Sequence, residues 1–238
     1  MTQLEGRTIA VAGAAGGLGP TVARRLAAAG ASLALTDVDA GRLNAVAAGL
    51  DLPEERLDCR VVDLLDDTPT RAWVDHLEQR FGGTDALVHL VGGWRGGEGI
   101  ATTPLADYEF LHDLLVRTVQ LTTRAFHSAL TASGNGRFVL VSAAAAQDPE
   151  STNAAYASTK ASAEAWTLAL ADSFSGTGAT ANIIVINAIE TPAMRDESPG
   201  VGNPSFTPAE HIAEALVFIC SEAGARMNGQ RLELRPRG

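Results

Sequence analysis

The chain is short of cysteine, of positive charge and of long apolar runs, and each scarcity removes a class of function. Its two cysteines, Cys59 and Cys220, stand far apart and in no metal-ligand spacing. Lone cysteines of this kind are expected as buried free thiols, with no metal site. No segment approaches about 18 uninterrupted apolar residues, and no basic stretch followed by an apolar run opens the chain. The expectation is a soluble cytoplasmic protein with no membrane partner. Eighteen Lys and Arg against 28 Asp and Glu give a net charge of −10, which argues against a nucleic-acid partner. An acidic protein can still hold one dinucleotide, because a helix N-terminus binds phosphate locally. No repeat, low-complexity tract or linker interrupts the sequence.

Apolar material is plentiful. Of 238 residues, 46% are hydrophobic and 19% charged, a globular profile that predicts one domain over 1–238. Short apolar runs at 7–12, 32–36, 60–62, 86–91, 138–142, 182–188 and 231–235 read as strands. Between them, 18–29, 40–50, 69–81, 107–132, 154–175 and 208–221 carry helical patterns. Near-continuous apolar strands alternating with helices predict an α/β fold: a doubly wound Rossmann-type domain, its parallel sheet of about seven strands covered by helices on both faces. Ligands in such folds sit at the carboxyl ends of the strands.

The first strand-to-helix turn is Gly13-Ala14-Ala15-Gly16-Gly17-Leu18-Gly19. Glycines there permit a tight turn and close backbone approach, while free helix N–H groups meet a pyrophosphate. Asp37 ends the next strand, where a carboxylate accepts ribose hydroxyl hydrogen bonds and repels a 2′-phosphate. Ala14, Ala15 and Val38 offer no basic group, so NAD(H) is favoured over NADP(H). Further along, Tyr156-Ala157-Ser158-Thr159-Lys160 places a phenol and an ammonium at i and i+4, on one face of a helix. Phenol ionises near pH 10 in water, and a neighbouring ammonium favours phenolate, lowering that value toward the working range. Tyr156 can then donate a proton to a reduced oxygen or nitrogen while a nicotinamide delivers hydride.

The glycine spacing at Gly13, Gly17 and Gly19, with Asp37 and the Tyr156/Lys160 pair, resembles the short-chain dehydrogenase/reductase superfamily over nearly the whole chain. That resemblance implies a nicotinamide-dependent oxidoreductase in which Leu18 and Gly92 also border the cofactor and Lys160 also holds the nicotinamide ribose. Asp63 matches the residue that meets the adenine edge, although a helix cap would look the same. It further implies a homodimer or homotetramer built on the two long helices at 107–132 and 154–175.

Four departures from the family pattern stand out. The residue thirteen before Tyr156 is Ala143 where a catalytic Ser is usual, and Ser142, one residue earlier, should face the other side of the strand. Leu115 stands near the place of a central-helix Asn, His89-Leu90-Val91-Gly92 replaces the usual Asn-Asn-Ala-Gly, and a Pro-Gly turn is missing from 186–192. Together with Gly92-Gly93-Trp94-Arg95-Gly96-Gly97 and Glu190-Thr191-Pro192-Ala193-Met194, these features resemble the dihydropteridine reductase branch, which uses NADH, lacks the Ser and reduces a conjugated imine. A planar substrate can be held by stacking, and Trp94 is the candidate platform beside Ala143 and Tyr156, a core or dimer-contact Trp being the alternative. His89 reads as a hydrogen-bonded core residue, Arg95 as either a substrate contact or a surface group, and 194–207 as either a lid or a plain loop. A small-molecule reductase is the leading expectation. A broad carbonyl reductase and a non-catalytic NAD-binding sensor are the alternatives.

Overall fold

The structure is a computed structural model, and it describes residues 3–197 and 203–235. In chain order the elements are β1 (Thr8–Ala12), α1 (Gly19–Ala28), β2 (Ser32–Asp37), α2 (Ala40–Ala48), β3 (Leu57–Val61) and α3 (Asp67–Phe81). There follow β4 (Ala86–His89), α4 (Leu105–His112), α5 (Thr118–Ala132), β5 (Arg137–Ala143), α6 (Ala154–Ser173) and β6 (Thr180–Ile186). The last third holds β7 (Ala188–Glu190), α7 (Pro192–Glu197), β8 (Phe206–Pro208), α8 (Ala209–Cys220) and β9 (Arg231–Glu233). Seven strands form one parallel sheet in the order β3-β2-β1-β4-β5-β6-β9. This is the single Rossmann-like α/β domain that the strand–helix alternation predicts.

Alternation along each strand sorts the core into two layers. Ile9, Val11, Leu33, Leu35, Val139 and Val141 face α1 and α8, where Val22, Leu26, Ile212 and Leu216 are buried against them. Ala10, Ala12, Ala34, Leu87, Phe138 and Leu140 face the other way, onto Trp73, Leu77, Val119, Phe126 and Leu170 of α3, α5 and α6. The small strand residues on this second face leave room for the aromatic rings. Trp73 and Phe126 meet edge to face, with centroids 5.0 Å apart.

Several boundaries differ from the sequence expectation. The edge strand β3 begins at Leu57, before the expected 60–62, because its Asp58 and Arg60 give it a polar outer character that masks a strand. On that edge Cys59 is half-buried, while Cys220 is fully buried; both are free, so the expectation of two buried thiols holds only for Cys220. The long helix expected at 107–132 starts at Leu105 and is interrupted by a π-helical turn, Asp113–Arg117, which no Pro or Gly announces. Beyond β6, a small parallel pair of β7 and β8 was too short to leave a pattern. Of the segment 194–207, residues 194–197 end α7, 203–207 lead into β8, and 198–202 lie outside the described residues. No described helix is long and apolar enough to cross a membrane.

Phe126→Ala removes a fully buried ring from the α3–α5 layer and is expected to lower unfolding stability by about 3–5 kcal/mol. Urea denaturation followed by circular dichroism measures the loss; a change below about 1 kcal/mol would show that the layer collapses around the gap.

Candidate active site

The chain winds from β1 outward to β3, returns to β4 and winds outward again to β9, so the carboxyl ends of β1 and β4 flank the switch point. A cleft of about 820 Å³ opens there, bounded by the residues that follow β1 to β6.

One half of the cleft is built from backbone. Gly13 adopts φ +78°, and a Cβ on it would lie 2.8 Å from the Val91 nitrogen. On Gly19 a Cβ would lie 2.0 Å from the Ala14 carbonyl oxygen. These two glycines therefore serve the packing of the turn, and Gly19 does not itself line the cleft. Gly17 is different: it is exposed on the cleft wall, and a Cβ there would touch only the Thr191 methyl group, at 3.5 Å. Its bare backbone suits the close approach of a pyrophosphate at the start of α1. Leu18 also lines this wall. Asp37 lies at the β2 end, with Oδ2 accepting from the Ala15 N–H at 3.0 Å and Oδ1 from Val38 N–H at 2.9 Å. The carboxylate thus latches the glycine turn as well as facing the cleft. Asp63 lines the opposite side and accepts from Leu65 N–H; the cap of α3 is Asp66, so the helix-cap alternative for Asp63 falls away. Backbone room for a pyrophosphate, a carboxylate at the ribose position and an apolar wall with Val62, Leu64 and Val91 fit a nicotinamide dinucleotide.

The other half carries the reactive side chains. Tyr156 and Lys160 project from α6 into the cleft floor. Lys160 is buried, and its Nζ donates to the Val141 carbonyl at 3.0 Å, beside the end of β5. It is the only lysine in the chain. Burial pushes its ammonium down to about 8, with Glu164 acting in the opposite direction. Burial also pushes the Tyr156 phenol up to about 12. This corrects the expectation that the ammonium lowers it: Nζ lies 5.8 Å from the ring centroid, and desolvation of the phenolate is the dominant effect. A phenol in that range is protonated at neutral pH.

The departures in the motif have structural counterparts. β5 runs in unbroken register with β6 through Ser142 and Ala143, without a bulge, yet Ser142 lines the cleft and Ala143 does not, the reverse of the expected facing. The Ser142 side chain shares a face with Phe138 and Leu140 and lies beside Glu164 of α6. Burial raises the Glu164 carboxyl above its ordinary value, and the nearby Ser142 hydroxyl acts against that shift without reaching hydrogen-bond geometry. Ala143 is buried and does not line the cleft, which removes it as a substrate contact; Ala145 takes that place. Leu115 is buried against Leu111 and Ala155 and brings no polar group near Tyr156.

Gly92 lines the cleft, and Trp94, 62% exposed, stands at its mouth. The loop holding it is clamped: Arg95 pairs with Asp107 at 2.9 Å and stacks 3.7 Å over the Phe110 ring, while Gly97 N–H bonds the Thr152 carbonyl. Arg95 is thus a scaffold residue. His89 is fully buried between Thr118 and Thr122, and burial pushes its imidazole down to about 3, so it is neutral. Sequence inspection missed Leu114, Thr118, Asn153, Asn187 and Ile189, all of which line the cleft. They come from three stretches, the π-helical turn running into α5, the start of α6 and the segment around β7, and share no motif. Among the described residues no group of three or more His, Cys, Asp or Glu is placed to hold a metal ion.

Comparison with known proteins agrees with this geometry. A family model described as enoyl-(acyl carrier protein) reductase matches residues 13–234. A Streptomyces virginiae protein named as a ketoacyl reductase of monensin polyketide synthase is 29% identical, covering 98% of this chain and 97% of its own length. A short-chain dehydrogenase/reductase from Brucella melitensis superposes with a TM-score of 0.85 at 28% identity, covering 98% and 96% of the two chains. A short-chain dehydrogenase from Burkholderia cenocepacia, solved in complex with NADP, gives 0.84 at 28% identity, with 98% and 97% covered.

Gly19→Ala forces a Cβ into the Ala14 backbone and is expected to weaken dinucleotide binding at least tenfold, about 1.4 kcal/mol, with secondary structure retained. Titration by cofactor fluorescence checks this; unchanged affinity would mean that the turn does not contact the dinucleotide.

Proposed function

The chain belongs to the family described as enoyl-(acyl carrier protein) reductase, within the short-chain dehydrogenase/reductase superfamily, and from that premise we propose that it is an NADH-dependent reductase of a conjugated imine or carbonyl. The carrying observation is the Tyr156/Lys160 pair on the cleft floor, with the phenol held in its protonated form. The bound nicotinamide supplies hydride. Tyr156 Oη would donate its proton to the oxygen or nitrogen of the double bond whose carbon takes the hydride. Lys160, with one N–H on Val141, keeps two further donors for the cofactor ribose. The preference for NADH rests on Asp37, whose carboxylate would face a 2′-phosphate. Arg42 lies near but is engaged by Asp39, at 3.0 Å. The Burkholderia relative holds NADP, so cofactor choice is a property to measure on this chain.

For substrate, the exposed Trp94 ring at the cleft mouth favours a planar, charge-delocalised acceptor held by stacking, with quinonoid dihydropterin as the model compound. A second reading, reduction of a ketoacyl or simple carbonyl group, is favoured by the Streptomyces relative. The intact Tyr156/Lys160 pair weighs against a non-catalytic sensor. Self-association as a homodimer or homotetramer through the long helices is part of the proposal; Trp166 and Leu168 of α6 are partly exposed there.

NADH oxidation is to be followed with quinonoid dihydropterin, a ketoacyl thioester, simple ketones and quinones. Turnover restricted to the pterin supports the stacking model, and turnover of ketones alone overturns it. Tyr156→Phe is expected to lower kcat by about 10²–10⁴ with NADH affinity unchanged; full activity in this variant would remove Tyr156 from the chemistry. NADPH used as well as NADH would overturn the role given to Asp37.

A further inference from the structure

Behind the reactive pair the helix carries a third ionisable residue. Tyr156, Lys160 and Glu164 follow one another at i+4 along α6 and so share one face. The Glu164 side chain is only 4% exposed and is ion-paired with Arg231 of β9. Ser142 Oγ, Glu164 Oε1 and Arg231 Nε and Nη2 are buried beside this pair without hydrogen-bond partners. Cation, anion and cation thus run from the cleft toward the β9 edge of the sheet as Lys160, Glu164 and Arg231. The other ionisable groups acting on this line are His89 from β4, Glu233 from β9 and Tyr156 on the same helix.

A carboxylate removed from water is unfavourable unless charge and hydrogen bonds compensate it. Glu164 pairs with Arg231 through one oxygen, joining α6 to β9, and its other oxygen has no hydrogen-bond partner. Its position one turn beyond Lys160 gives it a second effect, because it is the group that opposes the loss of the lysine proton on burial. We propose that Glu164 is a positioning residue that keeps Lys160 an ammonium at working pH, with Arg231 fixing the carboxylate in place. This inference rests on the assignment of Tyr156 and Lys160 as the reactive pair. A Lys160 that lost its proton would no longer favour proton transfer from Tyr156 or bind a ribose hydroxyl as a cation.

Because the chain has one lysine, protein grown on ε-13C-lysine gives a single side-chain resonance, and its pH titration reads Lys160 directly without turnover. Glu164→Gln is expected to move the midpoint down by about one unit, a tenfold loss of proton affinity, and to move the alkaline limb of the rate profile with it. Arg231→Gln breaks the same ion pair but leaves the carboxylate, so the midpoint should not fall; Glu164→Asp should restore most of the wild-type value. If Glu164→Gln fails to fold around an unpaired Arg231, the double variant Glu164→Gln/Arg231→Gln is compared with Arg231→Gln, from which it differs only by the carboxylate. An unchanged Lys160 midpoint on adding Glu164→Gln to either background, or an equal fall in Arg231→Gln, would overturn the inference. A shifted midpoint with no turnover of any tested acceptor would leave the inference standing and defeat the proposed reductase reading instead.

Discussion

A lysine ammonium buried against the Val141 carbonyl is the contact on which the active-site half of this molecule depends. A charge out of water must be compensated, and compensation here comes from the carbonyl end of β5 and from the Glu164 carboxylate one turn along α6, which Arg231 of distant β9 holds by an ion pair. The Ala-rich α6 makes the contact geometrically possible. Ala157, Ala163 and Ala171 are buried on its inner side, and their small size lets the helix lie close to the sheet. A bulkier face would hold Nζ away from β5.

The two halves of the cleft use different physics. At the glycine turn the groups on offer are backbone N–H groups and one carboxylate, and side chains are mostly kept away. At the other end, desolvation raises the phenol and lowers the ammonium and imidazole, so Tyr156 and His89 are neutral at pH 7. The mouth is made rigid by remote contacts, since Arg95 on Asp107 and Phe110 holds the loop that carries Trp94.

What was legible in the sequence is what is local. Alternating apolar strands, the Gly13–Gly19 turn, Asp37 and the i, i+4 spacing of Tyr156 and Lys160 are all encoded within a few residues. Contacts between distant segments were not legible: Ala145 in place of Ala143 on the wall, Ser142 beside Glu164, Thr118 beside His89, and Arg231 across from α6. Electrostatic direction was also hidden. The spacing of Tyr156 and Lys160 suggested a lowered phenol value, but burial, a property of the whole fold, reverses the sign. The start of edge strand β3 and the whole β7/β8 pair escaped because one is polar and the other spans three residues per strand.

The concentration of all side-chain amine chemistry in one buried nitrogen has a practical reach. Every other side-chain cation of Lys or Arg type is a guanidinium, inert to acylating and aldehyde reagents under mild conditions. Such a reagent can meet a side-chain amine only by entering the cleft and reaching its floor. The rate of amine modification, once any reaction at the α-amino group is subtracted, therefore becomes a gauge of how often that floor is open. A ligand that covers it should be detectable as protection even when it undergoes no reaction.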